Sequence, residues 1–474
     1  MSCAVGDRGG RAVADKVKVD DVVVLLPGIL GSVLSRNGDT WAISPSAVLR
    51  AITSLGGSLK DLQLTEGGHR ASPDGIQATR VFKDTQIIPH FWKIDGYEKT
   101  ARVLKETLAL DDGDNYFEFP YDWRLDNRVA ATQLAAKVEA WLQARRNKLG
   151  KQDVKLILLA HSMGGLVARY FIERLGGWSD TRMLITFGTP YHGSLQALGF
   201  LVNGYPVKIG PIKVFDFSRV MRSFPSVYQL LPMFDCLDIG AADLATLRTA
   251  GNRIPGLDRD MLKDAVDFHD EIASALEANV RSAAGSRRYE IHPIVGTEQP
   301  TYLRATINRR GKAEMHYDHP RYSRQGDTTV PWISAHPGDT RPIEAGKYFI
   351  ECHGSLQNAD DTLTDVRNLI ARLTEGAMAI PRAAPPDGIS LQLNDWFAPG
   401  PVEIAAKTSA LGALHADIVD VEAGTAVGER VRLQLGRDGR HTATVPAMTR
   451  GVYRVTVASN ANVRSVTDIF MVVG

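Results

Sequence analysis

Residues 156–171 read LILLAHSMGGLVARYF. The run Leu156–Ala160 is continuously apolar, as strands covered on both faces are, and the residues after Met163 carry a helical pattern. His161 and Ser162 stand between them, with Ala160 two positions before the serine and Gly164 two positions after it. A sharp strand-to-helix turn lifts a serine Oγ clear of the sheet edge only when the residues at those two positions are very small. Alanine in place of the usual first glycine still meets that size limit. Ser162 is therefore the candidate nucleophile, and the setting predicts a parallel sheet flanked by helices.

The same alternation runs outward on both sides. DVVVLLPG (21–28), MLITFGTP (183–190), YEIHPIVG (289–296) and KYFIECHG (347–354) read as further buried strands. TQLAAKVEAWLQARRNKLG (132–150), with Leu134, Val138, Trp141 and Leu142 on one face, and DVRNLIARLTEG (365–376), with its terminal glycine stop, read as helices. Strand and helix in alternation imply an α/β domain over residues 21–378. Two segments interrupt it and are expected as insertions: a lid over about 35–97 without a clear sheet period, and a mostly helical cap over about 195–288. Residues 1–20 form a tail. Pro381, Pro385 and Pro386 mark a linker at 379–386. Beyond it VEIAAKT, LHADIVDVE, ERVRLQL, RHTATVP, GVYRVTVAS and VTDIFMVV recur at sandwich spacing, and GRDGR supplies a hairpin turn, so 387–474 is expected to be an immunoglobulin-like β-sandwich.

Composition narrows the function classes. Fifty-five basic and 54 acidic residues in 474 leave a formal charge of +1 with no long run of either sign, which argues against nucleic-acid capture. The first twenty residues hold no apolar signal region, and no run approaches the length of a membrane span. Cys3, Cys236 and Cys352 are too scattered for a disulfide framework or a metal site. A cytoplasmic protein without metal or cofactor is the expectation.

A serine hydroxyl attacks at neutral pH only when a histidine takes its proton and a carboxylate orients that histidine. On this fold the order along the chain is serine, acid, histidine. QGDTTVPW (325–332) places Asp327 in a glycine-led turn, and YFIECHGSLQN (348–358) places His353 after an apolar strand. His316, His319 and His336 are rivals that follow no strand; His192 reads as structural; His161 should point away from Ser162. Asp318 is the alternative acid. Of the two N–H donors that an oxyanion requires, one belongs to Met163, the residue after the nucleophile, and the other to a loop after an early strand, which is the place of PGILG (27–31). That loop lacks the lysine and spacing of a nucleotide-phosphate cradle.

Taken together, LLPGILGSVL, FPYDWRLD, AHSMGGLVARYF, FGTPYHGS, FPSVYQLLP, GDTTVP and CHGS, in that order over about residues 22–373, resemble the lecithin:cholesterol acyltransferase-like lipases, which include lysosomal-type phospholipases A. The resemblance implies an α/β-hydrolase fold, a triad of Ser162, Asp327 and His353, and an oxyanion hole made by the N–H groups of Ile29 and Met163. It also implies a membrane-contacting aromatic lid around Trp41 and Trp92. The family carries this YDWR run, here Tyr121-Asp122-Trp123-Arg124; it reads either as a buried Asp–Arg pair shaping the pocket floor, with Trp123 at the substrate pocket, or as a purely structural element. Secreted members staple the lid with a disulfide; no cysteine lies between Cys3 and Cys236 here, so that staple is absent. The expected activity is hydrolysis of lipid or phospholipid esters at a membrane or micelle surface through an acyl-enzyme. Acyl transfer by the same triad is the alternative, and a catalytically silent scaffold recruiting a protein partner through the C-terminal sandwich is the reading from another class.

Overall fold

The computed structural model describes residues 16–36, 39–41, 62–64, 74–83, 85–88, 92–204, 206–209, 212–216, 218–282, 289–338, 347–375, 388–409, 412–460 and 463–473. The apolar runs become β1 (Val22–Leu26), β2 (Tyr116–Glu118), β3 (Leu156–His161), β4 (Thr181–Phe187), β5 (Glu290–Gly296) and β6 (Lys347–Phe349). They form one six-stranded sheet in the order β6-β5-β4-β3-β1-β2, and every neighbouring pair is parallel. Every residue of β1 and β3 is buried, because helices cover both faces of a parallel sheet.

The helices that matter for the site are α1 (Glu98–Thr107), α2 (Asn127–Leu149), α3 (Met163–Arg174), α4 (Arg259–Ser282) and α5 (Asp360–Glu375). The Asp126 carboxylate accepts from the Arg128 N–H at 2.8 Å and so starts α2. Leu134, Val138 and Leu142 of that helix are buried, each contributing about 1.5–3 kcal/mol, and Trp141 stacks on Phe117 of β2 at 4.3 Å. Helix α3 is buried over nearly its whole length because α4 lies across it, with Phe268 stacked on Tyr170 at 5.4 Å. Arg128 clamps α2 to α4 through Asp264 and Glu271 at 3.0 and 2.9 Å. The helical insertion therefore adds a layer over the helix that carries the candidate nucleophile.

At the ends of the other insertion, Ser32–Arg36 pairs with Asp39–Trp41 and with Gln77–Val81 as a small antiparallel sheet. The rest of the 35–97 stretch lies largely outside the described residues, as do the 1–15 tail and the linker at 379–386.

Beyond the linker the chain is all-β: β7 (Ile389–Gln392), β8 (Trp396–Phe397), β9 (Gly400–Thr408), β10 (Leu414–Asp420), β11 (Val431–Leu435), β12 (His441–Met448), β13 (Gly451–Ser459) and β14 (Val466–Val472). The path runs β7-β9-β12-β11-β10-β13-β14-β8, and β11 pairs on both of its edges. The GRDGR turn joins β11 to β12, with Gly436 N–H donating to Arg440 O at 2.7 Å. Alternate residues such as Val402, Ile404, Leu414, Ala416, Val455 and Val457 enter a core separate from that of the parallel sheet. Among the described residues no helix is long and apolar enough to cross a membrane.

Candidate active site

Four strand ends meet at one edge of the parallel sheet. β1 runs into Pro27-Gly28 and β3 into Ser162; the loop after β5 brings Asp327, and the turn after β6 brings His353. Groups carried by different strands converge here because parallel strands all present their carboxyl ends on the same side.

Ser162 has φ 53° and ψ −124°, a conformation that non-glycine residues rarely adopt and that costs on the order of 1–3 kcal/mol. The surroundings hold it there. Its N–H donates to Phe187 O at 2.8 Å, and Thr189 Oγ1 donates to its carbonyl at 3.0 Å. A Cβ on Gly164 would lie 2.5 Å from Pro27 O, so only glycine lets α3 approach the Pro-Gly loop this closely. The small-residue rule read from the sequence thus has a specific cause: the residue two after the serine packs on the loop that must sit beside it.

Ser162, Asp327 and His353 come together. His353 Nε2 is 3.0 Å from Ser162 Oγ, and His353 Nδ1 is 2.7 Å from Asp327 Oδ2. The other Asp327 oxygen accepts from the N–H groups of Val330 at 2.7 Å and Thr329 at 3.1 Å, and His353 N–H donates to Asp327 O at 2.7 Å. All three residues are at most 2% exposed, so these bonds act away from bulk water, where they are electrostatically stronger. A Cβ on Gly188 would stand 2.7 Å from Asp327 Oδ2 and 3.0 Å from His353 Nδ1, which makes glycine necessary beneath this pair. A carboxylate on Nδ1–H leaves Nε2 free to accept the serine proton.

The candidate oxyanion donors are both buried beside the serine. A Cβ on Gly28 would lie 3.0 Å from Ser162 Cβ, so the loop carrying Ile29 abuts the nucleophile directly. Leu30 takes φ 63° as the chain leaves that loop. Among the described hydrogen bonds, the N–H groups of Ile29 and Met163 have no protein acceptor. The second follows from Met163 being the first residue of α3, where helical N–H groups have no partner within the helix.

The other sequence candidates lie elsewhere. Asp318 is exposed and paired with Arg304 at 2.9 Å. His316 meets Thr306, His319 meets Asp235 O, and His336 meets Tyr348. Tyr121-Asp122-Trp123-Arg124 has contacts that spacing did not reveal. Tyr121 OH donates to Pro27 O at 2.8 Å and Trp123 Nε1 to Ser32 O at 3.1 Å, so the first and third residues brace the Pro-Gly loop. Arg124, fully buried, binds Asp122 at 2.6 Å and reaches Asp74 at 2.8 Å and Leu62 O at 3.2 Å, which ties down the described pieces of the 62–74 stretch. Trp123 packs edge-on against Phe224. Trp41 and Trp92 stand in short strands, and their side chains lie outside the described set.

Two further groups escaped sequence reasoning. Tyr97 OH accepts from Gly28 N–H and meets His161 Nδ1, both at 2.8 Å, while His161 Nε2 lies 3.2 Å from His353 O. With the Tyr97 hydroxyl donating to Nδ1, the neutral ring carries its hydrogen on Nε2 and donates it to the His353 carbonyl. Burial, together with the nearby His353, pushes His161 well below the usual histidine range, as a neutral relay needs. His161 therefore points toward the turn of His353 and links it, through Tyr97, to the Pro-Gly loop.

The second is Glu351, two residues before His353. Burial pushes its carboxyl up to about 8, with Asp468 and Asp95 adding to the rise and the N–H groups of Thr467 and Cys352 opposing it; Lys93 and Arg454 are the nearby cations. The native state thus keeps a proton that the unfolded chain releases from about pH 4.5 upward. This group's stabilisation is complete below that pH and is lost as pH rises through about 8. Glu351→Gln is expected to melt with wild type at pH 4 and to be more stable at pH 9 by roughly 2–4 kcal/mol, measured by thermal denaturation across pH.

The family model for lecithin:cholesterol acyltransferase matches residues 39–336, which include Ser162 and Asp327 and stop short of His353. Among curated proteins, the human "Lysosomal phospholipase A and acyltransferase" is 27% identical over 175 residues, 34% of this chain and 40% of that protein. An uncharacterized Saccharomyces cerevisiae protein is 28% identical over 100 residues, 21% of this chain. The matches span 40% and 14% of those two relatives' own lengths. Of solved structures, the Bacillus licheniformis lipase BlEst2 in its propeptide form aligns at 16% identity and TM-score 0.34, covering 96% of this chain and 74% of that one. The phospholipase PlaB from Legionella pneumophila aligns at 9% identity and TM-score 0.30, covering 95% and 90%. With the family match extending over more than half of its length and through its serine turn, the chain belongs to the lecithin:cholesterol acyltransferase family.

Proposed function

We propose that this protein is a serine-dependent lipid ester hydrolase of the phospholipase A type, built on an α/β-hydrolase fold. The observation that carries the reading is the buried hydrogen-bonded chain Ser162–His353–Asp327 on a strained strand-to-helix turn. Ser162 Oγ attacks the ester carbonyl while His353 Nε2 takes its proton, and the N–H groups of Ile29 and Met163 receive the negative oxygen. The C–O bond then breaks, the alcohol leaves with the proton held by His353, and the acyl group remains on Ser162. Water deprotonated by His353 releases the fatty acid; a lipid alcohol in its place would make the same site an acyltransferase. Asp327 stays ionised throughout and stabilises the imidazolium.

Ser162, Ile29 and Met163 are all 0% exposed. This burial supports a site that opens at a membrane or micelle surface, with Trp41 and Trp92 near the lipid. Neither a cofactor nor a metal enters any step. We also read the C-terminal unit as an immunoglobulin-like sandwich, on the support of its antiparallel pairing and alternating burial.

The test is product analysis with phosphatidylcholine vesicles, with and without an added long-chain alcohol. Lysophospholipid and free fatty acid in both cases support the hydrolase; an acylated alcohol as the main product makes the protein a transferase. Intact phospholipid in both overturns the proposal.

A further inference from the structure

The chain from Ile350 to Gly354 faces two ways. His353 enters the candidate active site, while Cys352, its immediate neighbour, is buried in the core of the C-terminal β unit with Ile389, Val402 and Val455. A Cβ on Gly388, at the start of β7, would strike Ile350 at 2.0 Å. The two units are thus in van der Waals contact at the turn that aims the histidine.

Polar contacts at the same seam reach both triad partners of Ser162. Glu351 Oε1 accepts from Cys352 N–H at 2.9 Å and from Thr467 N–H, on β14, at 2.8 Å. Gln299, fully buried, donates through Nε2 to Ile389 O and accepts at Oε1 from Leu391 N–H, both at 2.9 Å, so its carboxamide copies a strand edge against β7. Its own N–H donates to Gly326 O at 2.9 Å, and its backbone bridges Gly326 and Asp327. One hydrogen-bonded step therefore separates β7 from the acid turn, and one separates β14 from the histidine turn. A third clamp closes the far side: Asp95 N–H donates to Gly354 O at 2.8 Å while the Asp95 carboxylate pairs with Arg454 of β13, and Lys93 pairs with Asp468 of β14 at 2.7 Å.

We propose that the C-terminal β unit is a positioning element of the active site, and that Gln299 and Glu351 are the residues through which it holds Asp327 and His353 in register with Ser162. The inference rests on the hydrolase reading above. A unit serving only as ballast or as a docking module would have no need to bury its contacts against the two turns that carry the triad. A seam of buried, mutually satisfied hydrogen bonds fixes geometry because leaving any one of them unmade costs the full desolvation of its partner.

The experiment measures kcat and KM on a soluble p-nitrophenyl ester, the rate of fluorophosphonate labelling, and the melting temperature, all in the full-length protein. Glu351→Ala leaves the N–H groups of Cys352 and Thr467 unpaired; it is expected to lower kcat and the labelling rate at least tenfold with KM changed less than threefold. Glu351→Gln, which keeps an oxygen for both donors, should restore kcat to within about threefold of wild type at pH 7. Gln299→Leu, which removes both bonds to β7, should repeat the kcat loss and carries the test if Glu351→Ala is recovered unfolded. Arg464→Ala cuts a surface pair with Asp361 across the same two units and should keep wild-type kcat. Wild-type kcat in folded Glu351→Ala and Gln299→Leu overturns the positioning role. Failure of the wild-type enzyme to label at all, or labelling that survives Ser162→Ala, overturns the hydrolase reading instead.

Discussion

Ser162→Ala is expected to lower kcat on any ester substrate by about 10⁶-fold, with the melting temperature unchanged or raised. The serine hydroxyl lies 3.0 Å from His353 Nε2 in a position to form the acyl-enzyme, so its loss removes the proposed nucleophile and leaves the N–H groups of Ile29 and Met163 in place. Residual turnover of about 10³–10⁴ over the uncatalysed rate should remain from those donors and from substrate binding. Alanine also relieves little of the strain at φ 53°, because the turn is imposed by Phe187 O, Thr189 and the contact of Gly164 with Pro27. Asp327→Asn keeps the hydrogen bond to His353 Nδ1 only by reversing its direction, which stabilises the wrong tautomer, and a fall of about 10⁴-fold is expected. Steady-state kinetics together with a fluorophosphonate label distinguish these outcomes. A Ser162→Ala enzyme with more than a hundredth of wild-type turnover would remove the triad from the mechanism.

Arg124→Met is expected to destabilise the fold by about 3–5 kcal/mol, read as a shift in the denaturant midpoint at constant slope. The guanidinium is 0% exposed and neutralises Asp122 at 2.6 Å and Asp74 at 2.8 Å while also holding Leu62 O. Methionine fills much of the same volume and takes none of those bonds, leaving the Asp122 carboxylate buried without its counter-ion. The double variant Arg124→Met/Asp122→Asn should recover part of the loss, since a buried pair removed on both sides costs far less than one broken on one side. Because Tyr121 and Trp123 flank these residues and bond to Pro27 O and Ser32 O, a drop in kcat should accompany the loss of stability. A midpoint within 0.5 kcal/mol of wild type would show that the ion pair is dispensable.

Much of this molecule was legible in its residues. Continuous apolar runs ending in small residues located five of the six strands of the parallel sheet, and the size rule around Ser162 together with the serine–acid–histidine order picked out, among several rivals, three residues that the fold brings within hydrogen-bond distance. The short strand Tyr116–Glu118 was missed, since three residues carry too little periodicity to read. Local pattern suffices for the rest because burial on both sheet faces and the sterics of a sharp turn constrain residues that are adjacent in sequence. FPYDWRLD was visible as a motif with a buried Asp–Arg pair, and of its two readings, pocket floor or structural element, the described contacts match the structural one: a brace under the Pro-Gly loop and a tie to Leu62 and Asp74.

What sequence alone determined is therefore the α/β class, the all-β C-terminal stretch and the identity of the candidate triad. Only the tertiary structure decided how that triad is held. Tyr97 and His161 are 64 positions apart, Glu351 and Thr467 are 116 apart, and Gln299 and Ile389 are 90 apart. No local signal announces such pairs, because a buried tyrosine, glutamate or glutamine acquires its role only from the donor or acceptor that folding brings opposite it. Spacing along the chain names the groups able to do the chemistry; the hydrogen-bond needs of groups removed from water determine which distant residues must hold them.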